Sequence, residues 1–221
     1  MEPHRMTLLP VARTRESAFA YACHGCGRCC THKKIRVDAY AVARLAETLG
    51  VPTGEVMDRY IDADTSTLKQ TEDAACVFLD DSGCGVHSGR PLACRLYPLG
   101  WFSDRATGDE SFGELSPHPE TDGIYSTDGT VADYLEAQGT APYERAARRY
   151  AEVLWRLNEA LELDGPDPGE PPPIYDVDAA VETDCAARDV PVPEGVEARV
   201  DLHLELLHRW LDAAGAPASS A

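Results

Sequence analysis

The stretch "YACHGCGRCCTHKK", residues 21–34, sets four cysteines within eight positions: Cys23, Cys26, Cys29 and Cys30. The first three follow the pattern C-x2-C-x2-C. Thiolates at that spacing fall on one side of a loop and can bind three irons of a cubane iron–sulfur cluster, the fourth cysteine coming from elsewhere in the chain. Cysteines separated by two residues also clamp zinc, where Zn–S bonds of about 2.3 Å close a tetrahedron. Spacing alone does not choose between the two.

The missing ligands have candidates further on. In "CVFLDDSGCGVH", residues 76–87, two short apolar runs flank "DDSG". This predicts a hairpin that brings Cys76 and Cys84 together. "GRPLACRLYPLGW" follows and predicts a short helix opened by Pro91 and ended by Pro98, with Cys94 on it. The candidate metal set is therefore Cys23, Cys26, Cys29, Cys30, Cys76, Cys84 and Cys94. Free cysteines that merely pack as small hydrophobes need no such spacing. His87 lies three residues after Cys84 and is a candidate ligand or hydrogen-bond donor to one. His24 and His32 are expected to face solvent, and Cys185, alone in "ETDCAARD", is read as an incidental thiol.

The doubled cysteine is unusual. In extended chain, neighbouring side chains point to opposite faces, so Cys29 and Cys30 share an ion only if the backbone turns sharply. One thiol is otherwise left to bridge a second metal or to act as a nucleophile. Basic residues surround both cysteine groups: Arg28, Lys33, Lys34 and Arg36 near the first, Arg90 and Arg95 beside Cys94. They are either a solvated patch or cations that offset the negative charge of a thiolate centre.

The chain of 221 residues carries a formal net charge of -18. Residues 150–221 hold 16 acidic side chains against four arginines. Such acidity argues against a nucleic-acid or anionic-membrane partner. The opening "MEPHRMTLLPVARTRESAFAYA" has no long apolar core, and no run approaches a membrane span. A cytoplasmic setting is expected, where thiols stay reduced and clustered cysteines serve metals or redox chemistry rather than disulfides.

Five segments are predicted. Residues 1–17 form an N-terminal segment, and 18–100 a cysteine-cluster metal-binding domain. Residues 101–163 continue it, turn-rich through "SPHPETDG" and then helical. Residues 164–173, "DGPDPGEPPP", read as a stiff linker, and 174–221 as an acidic helical segment. Within them, "KKIRV" is a strand candidate, Asp38 and Thr53 are helix caps, and Gly50 is a C-terminal cap. Helical spacing places Tyr143, Ala147, Tyr150, Leu154, Leu157 and Leu161 on one face, and Val200, Leu204, Leu207 and Leu211 on another. The fold class is α+β and mostly helical, with a small irregular cysteine-rich core and a short hairpin packed against helices.

"CHGCGRCC" followed by "CVFLDDSGCGVHSGRPLACRLYPLGW" resembles the YkgJ-like, or CxxCxxCC, cysteine-cluster family. The resemblance covers roughly residues 18–100 and implies zinc or iron chelation by the seven cysteines. It also implies a relation to the cysteine module of flagellin lysine N-methylase, although no cofactor-binding motif for methyl transfer is present. Three readings stay open. The first is a protein holding a [4Fe-4S] cluster or iron. The second is a structural zinc module of a scaffold or interaction protein with a protein partner. The third is a protein-modifying enzyme. No P-loop, GxSxG elbow, dinucleotide fingerprint or C-x3-C-x2-C motif accompanies the cysteines.

Overall fold

Asp38 opens the helix Ala39–Leu49, its carboxylate accepting from the Ala41 amide at 2.7 Å. Gly50 closes that helix in the left-handed region, at φ 68°. The structure, a computed structural model, describes residues 8–161 and 169–216. Residues 1–7 of the N-terminal segment, the end of the helical continuation, residues 164–168 of the linker and the tail beyond 216 lie outside the described residues. The fold is α+β, with seven helices among the described residues and several small antiparallel sheets. No helix among them is long and apolar enough to cross a membrane.

The chain divides into two compact units that interleave in sequence. One takes residues up to Arg36 and Thr67–Pro142; the other takes Val37–Ser66 and the chain from Tyr143 onward.

The first unit carries the three-stranded sheet, the pair Ala18–Ala22 with Ile124–Thr130, the hairpin and the seven clustered cysteines. Strand Glu110–Leu115 pairs with Leu8–Arg13 on one side and Leu99–Ser103 on the other, with Trp101 opposite Phe112. Strand Ala18–Ala22 pairs with Ile124–Thr130. Thr130 then caps the helix Val131–Ala137 in a reciprocal box with Asp133. Phe19, Leu96, Leu99, Phe112, Val131, Tyr134 and Leu135 form the buried core here. The sequence reading of 101–130 as turn-rich missed these strands. "ESFGEL" offers only Phe112 and Leu115 as apolar residues, too weak a local alternation to mark a strand.

The strand predicted for Lys33–Val37 is reduced to one bridge, Arg36 opposite Thr67. Its alternation survives: Ile35 and Val37 are buried, Lys34 and Arg36 exposed. The predicted hairpin is present, with Leu79 opposite Cys84 and Asp80 opposite Gly83. Its turn is held by Asp80, whose carboxylate accepts from the Ser82 amide at 2.7 Å.

The second unit is helical: Ala39–Leu49, Thr53–Tyr60, Ala141–Leu161, Val177–Arg188 and Val196–Ala213 supply it. Val200, Leu204, Leu207 and Leu211 are buried as their spacing predicts. On the long helix the buried stripe is Tyr143, Ala146, Tyr150 and Val153, and Leu154 is 41% exposed. The predicted stripe is therefore rotated by about one residue, because Val153 and Leu154 are adjacent apolar residues and only packing decides between them. Thr53 is not a cap. Pro52 takes that position. The Thr53 hydroxyl instead donates to Asp176 at 2.6 Å and accepts from the Asp178 amide at 2.9 Å.

Candidate metal centre

Gly27 shapes the first cysteine loop. It sits at φ 73°, and a Cβ there would lie 3.4 Å from the Leu79 side chain. Glycine thus supplies both the left-handed backbone and the room for the hairpin. The chain then turns through a short 3-10 helix, Arg28–Cys30, with the Cys30 amide donating to Gly27 carbonyl at 2.9 Å. This sharp turn brings the neighbouring thiols together, with Cys29 Sγ 3.8 Å from Cys30 Sγ.

Backbone bonds join the two cysteine groups. The Cys76 amide donates to Cys30 carbonyl at 2.8 Å, and His32 amide to Ala74 carbonyl at 2.8 Å. Cys76 leads into the hairpin, and Cys84 lies on its second arm opposite Leu79. Cys94 sits in the helix Leu92–Leu96, which Leu92 and Leu96, four residues apart, fasten to the apolar core. The result is one cavity of about 680 Å³ onto which Cys23, Cys29, Cys30, Cys76, Cys84 and Cys94 all open. Ile35, Leu68, Phe78 and Val86 supply apolar wall. Cys26 points elsewhere, its Sγ 4.0 Å from Thr121 Oγ1, and Cys23 is exposed.

The thiols are not equivalent. The Cys29 thiol is drawn down to about 7, chiefly by a hydrogen bond from Cys30, with help from nearby Lys33. Cys30 is pushed up by the same bond and by burial. Burial pushes Cys94 up to about 12 and also raises Cys76. A thiol so desolvated stays protonated near neutral pH unless a cation or metal stabilises the thiolate.

His87 lines the cavity, but its Nδ1 accepts from Arg90 at 3.1 Å. Burial and the adjacent Arg90 and Arg95 charges lower its pKa. The imidazole is thus engaged in holding Arg90. His203 and Cys185 lie in the other unit and are buried; His203 bonds Tyr150 Oη through Nδ1 at 2.8 Å and Pro173 carbonyl through Nε2 at 2.9 Å.

Sequence reasoning missed the aromatic side of the site. Tyr21 stacks edge-on against Tyr97, centroids 5.7 Å apart, and Lys33 Nζ lies 4.7 Å from the Tyr97 centroid. Only proximity of Tyr97 to Cys94 in "CRLYP" hinted at it.

Soft thiols gathered on a half-buried, largely apolar cavity have the donor chemistry of a thiophilic metal or cluster. Among the described residues, no three Cys, His, Asp or Glu side chains already close on one ion. The donor types fit; the thiols stand around a space rather than a point.

No curated protein and no solved structure matches the chain. The family model described as "CxxCxxCC: Putative zinc- or iron-chelating domain" matches residues 22–117, less than half of the chain but all seven clustered cysteines. Residues 22–117 thus match the CxxCxxCC family model, and metal binding is the property that this match supports.

Proposed function

We propose that the protein holds a [4Fe-4S] cluster, with four ligands drawn from Cys23, Cys26, Cys29, Cys30, Cys76, Cys84 and Cys94. One observation carries this reading: six of these thiols, all but Cys26, ring a cavity of about 680 Å³ instead of crowding one point. A tetrahedral zinc site needs its sulfurs about 3.8 Å apart, given Zn–S bonds of about 2.3 Å. A cluster of several atoms needs ligands spread around a larger space. The apolar wall also suits it, since it limits solvent access, which together with hydrogen bonds to sulfur sets the potential of such clusters. When bound, the cluster supplies one-electron transfer. A reducing, cytoplasmic setting agrees with eight free cysteines, seven of them clustered.

Zinc has one observation in its favour. The Cys29–Cys30 separation of 3.8 Å equals the edge of a zinc–thiolate tetrahedron. In that reading the metal is a folding staple for an interaction module.

Protein purified without oxygen is expected to be brown, with about four irons and four sulfides per chain. Colourless protein containing one zinc and no iron would replace the cluster with the zinc module.

A further inference from the structure

The sequence places six cations around the cysteines, and the structure sorts them. Arg28 pairs with Glu120 at 3.3 Å. Arg90 donates to His87 carbonyl at 2.6 Å and to Gln138 Oε1 at 2.7 Å. Arg95 donates to the carbonyls of Arg90 at 3.1 Å, Gln138 at 2.8 Å and Ser88. Lys34 and Arg36 are exposed. Arg90 and Arg95 also line the cavity, but those bonds commit their guanidiniums to protein oxygens. Lys33 is half-buried beside Cys29, Cys30 and Cys94 and rests its ammonium on an aromatic ring, 4.7 Å from the Tyr97 centroid.

A partly desolvated ammonium is costly, and an aromatic face offsets only part of that cost. In the metal-free site Cys30 is held protonated by its bond to Cys29 and by burial, Cys76 and Cys94 by burial, and of these four only Cys29, drawn down to about 7, offers part of a negative charge. An occupied centre changes the balance. Four thiolates around a zinc dication, or around a [4Fe-4S] core of charge about +2, leave a net charge of about −2. A fixed cation in the wall then gains a strong partner in a poorly solvated space.

We propose that Lys33 is the positioning counter-cation of the metal centre, its ammonium on the Tyr97 ring offsetting the negative charge of the thiolate-bound metal and raising the affinity with which it is held. The proposal rests on thiolate-bound metal as read above and holds for zinc and for the cluster. It also gives the occupied centre a sign: net anionic.

The test compares wild type, Lys33→Met and Lys33→Arg as full chains, with zinc titrated against a chromophoric chelator and with thermal unfolding of the metal-free forms. Expected is a zinc affinity lowered by roughly 10–100-fold in Lys33→Met, and within about threefold of wild type in Lys33→Arg, which keeps a cation over an aromatic ring. Metal-free Lys33→Met should melt no lower than wild type, since a desolvated charge has been removed. If the cluster is the resident group, Lys33→Met should also shift its midpoint potential to more negative values. Lys33→Met binding zinc as tightly as wild type would overturn the proposal while leaving the metal reading intact. So would a loss of affinity matched by a fall in metal-free stability and not rescued by Lys33→Arg, which marks a packing role. Failure of wild type to bind either zinc or iron would overturn both.

Discussion

The helical unit and the cysteine-bearing unit solve the problem of staying folded differently. In the first, Val42, Leu45, Val56, Val181, Val200, Leu204 and Leu211 are each no more than 2% exposed, on helices up to 21 residues long. Long amphipathic helices bury enough apolar surface to order themselves. In the second, Cys29 and Cys30 sit on a 3-10 turn, Cys84 on a two-residue strand and Cys94 on the helix Leu92–Leu96, while Cys23 and Cys26 lie in irregular chain and Cys76 on an isolated bridge. Such pieces bury little alone, and the apolar core built on Phe19 and Phe112 meets the cysteine cavity through Tyr21 and Tyr134 and the Cys94 helix through Leu92 and Leu96. On the proposed reading, metal binding adds stability to the cysteine region, because metal-binding free energy is folding free energy.

Stripping metal with a strong chelator should produce the largest effect. Amide exchange between Cys76 and Leu96 is expected to accelerate by orders of magnitude, while Val196–Ala213 keeps its protection. Equal acceleration in both regions would erase the contrast. Next in size is Leu204→Ala. Truncating a side chain that is 1% exposed should cost about 2–5 kcal/mol in urea unfolding, with metal content unchanged. A smaller pair of variants tests which face of the long helix is inside. Val153→Ala should cost about 1–2 kcal/mol and Leu154→Ala less than about 0.5 kcal/mol; the reverse order would restore the stripe predicted from sequence.

A pH titration probes the helical unit further. Burial lowers the pKa of His203, while Pro173 carbonyl and Asp176 act to raise it. The folded state therefore resists protonation more than the unfolded chain, whose histidines titrate near about 6.5. Stability is full above that value and falls as the pH drops below it toward the lowered folded-state pKa. His203→Gln, which does not titrate, should flatten this part of the stability profile; an unchanged profile would point to another group.

Local chemistry made much of this legible. Asp38 and Gly50 bracket a helix by rules that involve only nearby backbone. "DDSG" makes its own turn, and the period of Val200, Leu204, Leu207 and Leu211 reports one buried face. The cysteines stood out by their spacing, and six of the seven open onto one cavity. What escaped depends on residues far apart in the chain. Thr53 left its cap role for Asp176 and Asp178, more than 120 positions away. Phe112 marks a strand only once Trp101 lies opposite it. Lys33 looked like its neighbours Lys34 and Arg36 until the fold set it on Tyr97. The interleaving of the two units has no local signature at all.

That interleaving bears on how the protein can be cut. A fragment trimmed to the family match, 22–117, would keep the helix Ala39–Leu49, which belongs to the other unit. It would lose nearly all of Ala18–Ala22 and the whole of Ile124–Thr130, along with Phe19, Val131, Tyr134 and Leu135. Phe112, fully shielded in the intact chain, would face water, and so would the underside of the Cys94 helix. The stretch that the family model matches is therefore not the stretch that packs as one unit: a fragment meant to isolate the thiols must begin before Leu8 and run to Pro142.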